Sequence, residues 1–226
     1  MKLLKLPDKI TPLNMVPNPD EPAYKFLGIQ LDSKLNFKHH FKQLYIRVSR
    51  AIYTIKQMRL LLDKRHLKLL YSSYVKSIIE YACANFTQVS ASVRVSIFNL
   101  QKRLVRIITN SPYLANTAIL FRQEGILPLD QLIEYNAIKF MFEYRQGTLP
   151  PVFNNTWQFN NPDANYLLRN AADFLVRRPP AHYLSEQPYY YFPRAWNRLP
   201  NHIKIIPNKK AFLAALHQYL LNTVAH

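Results

Sequence analysis

Phe37, Phe41, Leu44, Val48, Ile52, Ile55, Met58 and Leu62 step by three or four residues, a spacing that places them on one helix face through about seven turns. Asn36 stands at the N-cap position of this helix. In front of it, Tyr24–Leu31 reads as a β-type run closed by an Asp32-Ser33-Lys34 turn. Asp63 predicts a second helix through about Ala84, with Leu67, Leu70, Tyr71, Tyr74, Val75, Ile78 and Tyr81 inward. A third is capped by Ser92 and carries Val93, Ile97, Leu100, Leu104, Ile107 and Ile108 as its stripe. Ser111-Pro112 stops it, because the residue before proline avoids the α region.

A short helix over Thr117–Glu124 is expected to end at Gly125, and another to run from about Asp130 to Gln146 with Gly147 closing it. The second of these turns Leu132, Ile133, Ala137, Phe140, Met141 and Tyr144 inward. Pro150-Pro151 opens a region rich in Asn, Pro and aromatics without a sustained period, with short strands expected at Phe174–Val176 and Tyr189–Phe192. A last helix follows Asn208, with Phe212, Leu213, Leu216 and Leu220 apolar. The pattern therefore predicts a mainly α fold: a helical bundle with a short N-terminal β element and a small irregular α+β C-terminal region. Its divisions are an irregular, Pro-rich lead-in (1–23), a β segment (24–37), a helical domain (38–149) and an aromatic-rich C-terminal domain ending in a helix (150–226).

Composition narrows what such a body does. The 226 residues are long enough for one or two cores, and 49% are hydrophobic, so the chain is globular material. No apolar run approaches the ~20 residues of a membrane span, and the N-terminal apolar stretch is too short for a signal peptide. An intracellular protein of nucleus or cytoplasm is expected, without a membrane partner. Thirty Lys plus Arg against 13 Asp plus Glu give a net charge of +17, which attracts polyanions, nucleic acid first among them. An acidic protein is the rival partner. The three glycines, Gly28, Gly125 and Gly147, cannot build a P-loop or a Rossmann turn.

Candidate catalytic chemistry is sparse. Two-metal phosphoryl chemistry needs converging carboxylates, yet the only adjacent acidic pair is Asp20-Glu21, in the Pro-rich lead-in. Asp32, Asp63, Glu80 and Asp130 stand apart, mostly at turn or cap positions. The seven histidines show no ligand spacing; His39 and His40 are helix neighbours and point in different directions. Cys83, the one cysteine, reads as a buried small residue on an apolar helix face. No catalytic residue, metal ligand or cofactor is expected.

Binding features are stronger. The first helix carries Lys38, Lys42, Arg47, Arg50, Lys56 and Arg59 over the arc away from its apolar stripe. No Asp or Glu occurs between Lys34 and Leu62, whereas a solvated face normally interleaves both signs. Part of this surface is expected to lie along a phosphate backbone; the alternative is a plain solvated face. The third helix adds Arg94, Lys102, Arg103 and Arg106. Such contacts are sequence-independent and salt-sensitive. Tyr189-Tyr190-Tyr191-Phe192 either stacks single-stranded bases or forms the core of a small domain, and the scarcity of glycine favours the core.

A resemblance joins these pieces. Phe26-Leu27-Gly28 with Leu31-Asp32, then Ser49-Arg50-Ala51, Leu70-Tyr71 and Tyr81 resemble the last palm block and thumb of jockey-like non-LTR (LINE) reverse transcriptases. Leu100-Gln101-Lys102 with Arg106-Ile107-Ile108-Thr109 resembles the family's next helix. Phe121 through Leu127, Leu149-Pro150-Pro151, Tyr166 with Arg169, and Trp196-Asn197-Arg198-Leu199-Pro200 resemble its C-terminal segment. The resemblance spans about residues 24–221, although Phe192-Pro193-Arg194-Ala195 stand where the family places a small residue and Gly before Trp-Asn. It implies the end of a palm, a thumb and a C-terminal segment that grip RNA, DNA or an RNA–DNA hybrid, with Phe26, Leu27 and Gly28 near the primer end. Catalysis, with its Tyr-x-Asp-Asp aspartates and their Mg, would belong to a palm upstream of Met1. A protein-interaction module and a decayed transposon reading frame are the competing expectations.

Overall fold

The computed structural model describes residues 24–31, 37–160, 173–176, 178–179 and 182–224. The expected lead-in 1–23, the Asn36 cap, the 32–34 turn, and Tyr166 with Arg169 lie outside these residues.

The β-type run folds back on itself. Strands β1 (Tyr24–Phe26) and β2 (Ile29–Leu31) pair antiparallel, with Phe26 opposite Ile29. Leu27 (φ 46°) and Gly28 (φ 82°) both lie in the left-handed region, as a two-residue hairpin loop requires. Glycine meets that requirement at no steric cost, which the alternation of the strand residues alone did not disclose. The Tyr81 hydroxyl donates to the Leu27 carbonyl and holds the loop down.

Helix α1 (Lys38–Met58) follows from Phe37, itself left-handed at φ 56°, and buries Phe41, Leu44, Val48, Ile52 and Ile55 as its spacing predicts. Met58 is exposed, and Leu62, past the end of the helix, is half-buried against the core. The expected second helix is broken into α2 (Lys64–Tyr71), a π-helical turn (Ser72–Lys76), α3 (Ser77–Tyr81) and α4 (Cys83–Phe86). Asp63 caps α2 through the His66 amide at 2.9 Å. The π turn takes one residue more than an α turn, which rotates everything after it by about 100°. The buried positions therefore become Leu67, Tyr71, Val75, Ile79, Cys83 and Phe86, while Tyr74 and Tyr81, expected inward, are exposed.

Helix α5 (Ala91–Thr109) packs on α1 and buries Ile97, Leu100, Leu104, Ile107 and Ile108; it starts at Ser90 and ends at left-handed Asn110. Helix α6 (Thr117–Glu124) is capped by the Asn116 side chain and ends at Gly125 (φ 64°). Helix α7 (Leu129–Arg145) is the hub, touched by α3, α4 and α5.

Beyond Gly147 the core continues without interruption. Backbone bonds from Asn160 to Asp173 and from Leu175 to Gln158 pair two short segments around a Phe159–Phe174 bridge, so the strand expected over Phe174–Val176 is reduced to one bridged residue. Tyr189–Phe192 is not a strand: it lies in helix α8 (Pro188–Asn197), which packs along α7. Pro193 inside that helix cannot donate to the Tyr189 carbonyl, and the Trp157 indole N–H takes the vacant place at 2.8 Å. A side chain distant in sequence thus repairs the defect that made a helix unexpected there. Phe192 is buried against Phe140 (ring centroids 5.3 Å) and joins the core, Tyr190 and Tyr191 are half-buried, and Tyr189 is exposed. Helices α9 (Asn201–Lys204) and α10 (Lys209–Asn222) close the chain, α10 against α7 through stacked Phe142 and Phe212 at 4.2 Å. The fold is mainly helical with one two-stranded antiparallel sheet. No helix among the described residues is long and apolar enough to cross a membrane.

Candidate nucleic-acid interface

Tyr45 of α1, Arg59 just beyond its C-terminus, α5 from Ser96 to Ile107 and the loop after α5 line an open groove of about 800 Å³. Arg59, Lys102, Arg103 and Arg106 line it together with Tyr45, Ser96, Asn99, Ser111, Tyr113 and Leu114. No carboxylate lines it, and no carboxylate among the described residues pairs with any of the four cations. Several basic residues elsewhere are ion-paired. Lys64 and Lys68 reach the buried Glu124 at 2.5 and 3.6 Å, Lys76 meets Glu80, and Lys209 meets Glu143 at 2.8 Å.

Two groove cations are held by aromatic rings. The Lys102 ammonium sits 4.4 Å from the Phe98 centroid. The Arg106 guanidinium lies 5.5 Å from the Tyr113 centroid and donates to the Ala115 carbonyl at 3.2 Å. Arg106 therefore fixes the loop that follows α5 as well as adding charge. Arg59 and Arg103 are exposed.

The remaining sequence candidates divide by helical phase. Lys38, Tyr45 and Lys56 are seven and eleven residues apart and nearly eclipse one another on α1, with Lys42 close by. This edge leads about 30 Å along the helix into the groove. Lys38, Lys42 and Lys56 thus extend the line of charge begun at Arg59. Arg47 is on the opposite edge, and Arg50 faces away from Tyr45. Arg94 precedes Arg103 by about two and a half turns, which puts it on the other side of α5. Four of the ten basic candidates, Arg59, Lys102, Arg103 and Arg106, line the groove; Lys38, Lys42 and Lys56 share the α1 edge of Tyr45, and Arg47, Arg50 and Arg94 stand apart. Tyr45 and Tyr113 were not expected; the one signal for Tyr113 was a large apolar pair, Tyr113-Leu114, in a polar loop after Pro112.

Arg47 lines a second pocket, of about 540 Å³, with Lys25, Leu27, Gly28, His40, Ser77 and Tyr81. Phe26 is exposed beside it in the hairpin. His40 is buried; its Nδ1 accepts the Gln30 amide at 3.5 Å, and its Nε2 is without a hydrogen-bond partner among the described residues. Burial, and then the Arg47 charge, hold His40 below its ordinary pKa of 6.5. Burial and Lys76 act the same way on His217. A lowered folded-state pKa means that the unfolded chain binds more protons as pH drops below 6.5, so these groups favour folding above that value and cease to below it. The melting temperature is expected to fall between about pH 7.5 and 5.5, and H40N should shallow that slope. Identical slopes for both chains would show that His40 titrates as it does in water.

Burial, aided by Glu80, pushes the Cys83 thiol up to about 12, and Asn136 donates to its sulfur at 3.5 Å. That thiol is protonated and unreactive at neutral pH. Among the described residues no three His, Cys, Asp or Glu side chains converge to hold a metal ion. Comparison with protein-family models, curated proteins and solved structures finds no match to the chain.

Proposed function

We propose that the chain binds RNA, DNA or an RNA–DNA hybrid through backbone phosphates, in the groove between α1 and α5, and that it grips nucleic acid without carrying polymerase chemistry. The observation that carries this reading is the convergence of Arg59, Lys102, Arg103 and Arg106, from two helices distant in sequence, on one carboxylate-free groove. Phosphate binding needs cations whose charge no carboxylate cancels, and four such cations displace about as many counterions on contact.

We further propose that the chain corresponds to the palm end, thumb and C-terminal segment of a jockey-like non-LTR reverse transcriptase. What supports this is the order of its motifs, from Phe26-Leu27-Gly28 to Trp196-Asn197-Arg198-Leu199-Pro200. The aspartate pair that holds Mg in that family has no counterpart in the sequence. An in-frame Tyr-x-Asp-Asp encoded ahead of Met1 would support the assignment, and an unrelated sequence there would weaken it.

Binding of duplex and hybrid oligonucleotides at rising salt tests the groove. Four phosphate contacts predict that a fourfold rise in salt lowers duplex affinity about a hundredfold. Affinity insensitive to salt, or weak even at low salt, would overturn the proposal.

A further inference from the structure

Resting on the nucleic-acid reading above, we infer that the occupant of the α1–α5 groove is an unpaired strand, with a base stacked on the ring of Tyr113. Cations alone would suit any polyanion. The groove also holds two large apolar groups in full view of solvent: Tyr113 is 84% exposed and its neighbour Leu114 90%. A duplex presents phosphates outward and keeps the faces of its bases stacked inside, so it would leave Tyr113 and Leu114 in water. An unpaired strand offers phosphates and flat apolar faces together, which is what a groove of mixed cations and aromatics complements.

The geometry of Tyr113 fits this role. Arg106, lying 5.5 Å from the ring centroid, is anchored by its own bond to the Ala115 carbonyl and has its Nε buried. The guanidinium thus lies over one side of the ring, and the exposure of the residue leaves the other side open to a base. Across the groove, Tyr45 on α1 is 42% exposed and gives a neighbouring base a second aromatic surface. Arg59, Lys102 and Arg103 then lie beside the connecting phosphates.

The stacking contribution can be separated from charge by comparing oligonucleotides of equal length and charge. The full chain is titrated by fluorescence anisotropy, at one salt concentration, against a deoxyadenosine strand, an abasic strand and a blunt duplex. The adenosine strand should bind about tenfold more tightly than the abasic one. Y113A should bring it down to the abasic level, Y113F should retain it, and neither should alter the salt slope. Tyr113 is a loop residue, and a melt of Y113A matching that of the parent chain secures the comparison. Equal affinity for abasic and adenosine strands, or a Y113A variant that still prefers adenosine, overturns the inference while leaving phosphate binding intact. Salt-insensitive binding of every oligonucleotide would instead remove the underlying nucleic-acid reading.

Discussion

Reversing Arg59 and Arg103 together, as R59E/R103E, is expected to lower affinity for nucleic acid, single-stranded or duplex, at least about a hundredfold at low salt. The slope of log affinity against log salt should shrink by about two, one for each phosphate no longer neutralised. These two side chains are the right ones to reverse because they are exposed and pair with no carboxylate among the described residues. Arg106 would be the wrong choice, since its bond to the Ala115 carbonyl and its packing on Tyr113 hold the loop, and its removal would mix folding with charge. R47E/R50E reverses the same number of charges on the part of α1 turned away from the groove and is expected to cost much less. Equal losses from the two double variants would mean that net charge, not the groove, attracts the ligand.

Several elements follow from local chemistry alone and are legible in the sequence. Asn116, Gly125 and Asn208 fix helix ends through bonds or dihedrals confined to a few residues, and α6 and α10 begin or end where those residues stand. The phase of the segment after Tyr71 was not legible. The π turn is a one-residue insertion with no local signature, and it leaves Tyr74 and Tyr81 exposed and buries Ile79. The helix over Tyr189–Asn197 was hidden for a related reason: Pro193 argues against it locally, and the remedy comes from Trp157, more than thirty residues earlier.

The candidate site shows the same division. The acid-free basic run on α1 and the Lys102–Arg106 cluster on α5 were visible as charge patterns, but which of those cations meet depends on how the two helices dock. Docking joins Arg59 to Arg103 and separates Arg94 from it. Tyr113 has no periodicity to announce it, because it sits in a loop whose conformation is set by Arg106. The Trp196-Asn197 pair, part of the family resemblance, also has a plain structural task. Trp196 is fully buried, and the Asn197 amide accepts from and donates to the Phe174 backbone at 2.9 and 2.8 Å, as a neighbouring strand would.

Beside that clamp lies the charge expected to matter most for stability. Lys204 is 2% exposed, and its ammonium donates to the Asp173 carboxylate at 2.6 Å and to the Asn197 carbonyl at 3.0 Å. Burying an ammonium is tolerable only while a counter-charge sits against it. D173A removes the counter-charge and leaves one carbonyl, so it should destabilise the chain by about 3 to 5 kcal/mol, or about 10 °C in melting temperature. K204M should cost less, about 1 to 2 kcal/mol, because the carboxylate it strands is 19% exposed and can still reach water. The double variant D173A/K204M replaces the pair with apolar surface and should recover most of the loss, so the two single effects cannot add. Equal single losses that sum in the double variant would show that Lys204 finds water instead of Asp173. A near-neutral D173A would place the ammonium outside the core altogether, and with it the tie between residues 173–176 and α9.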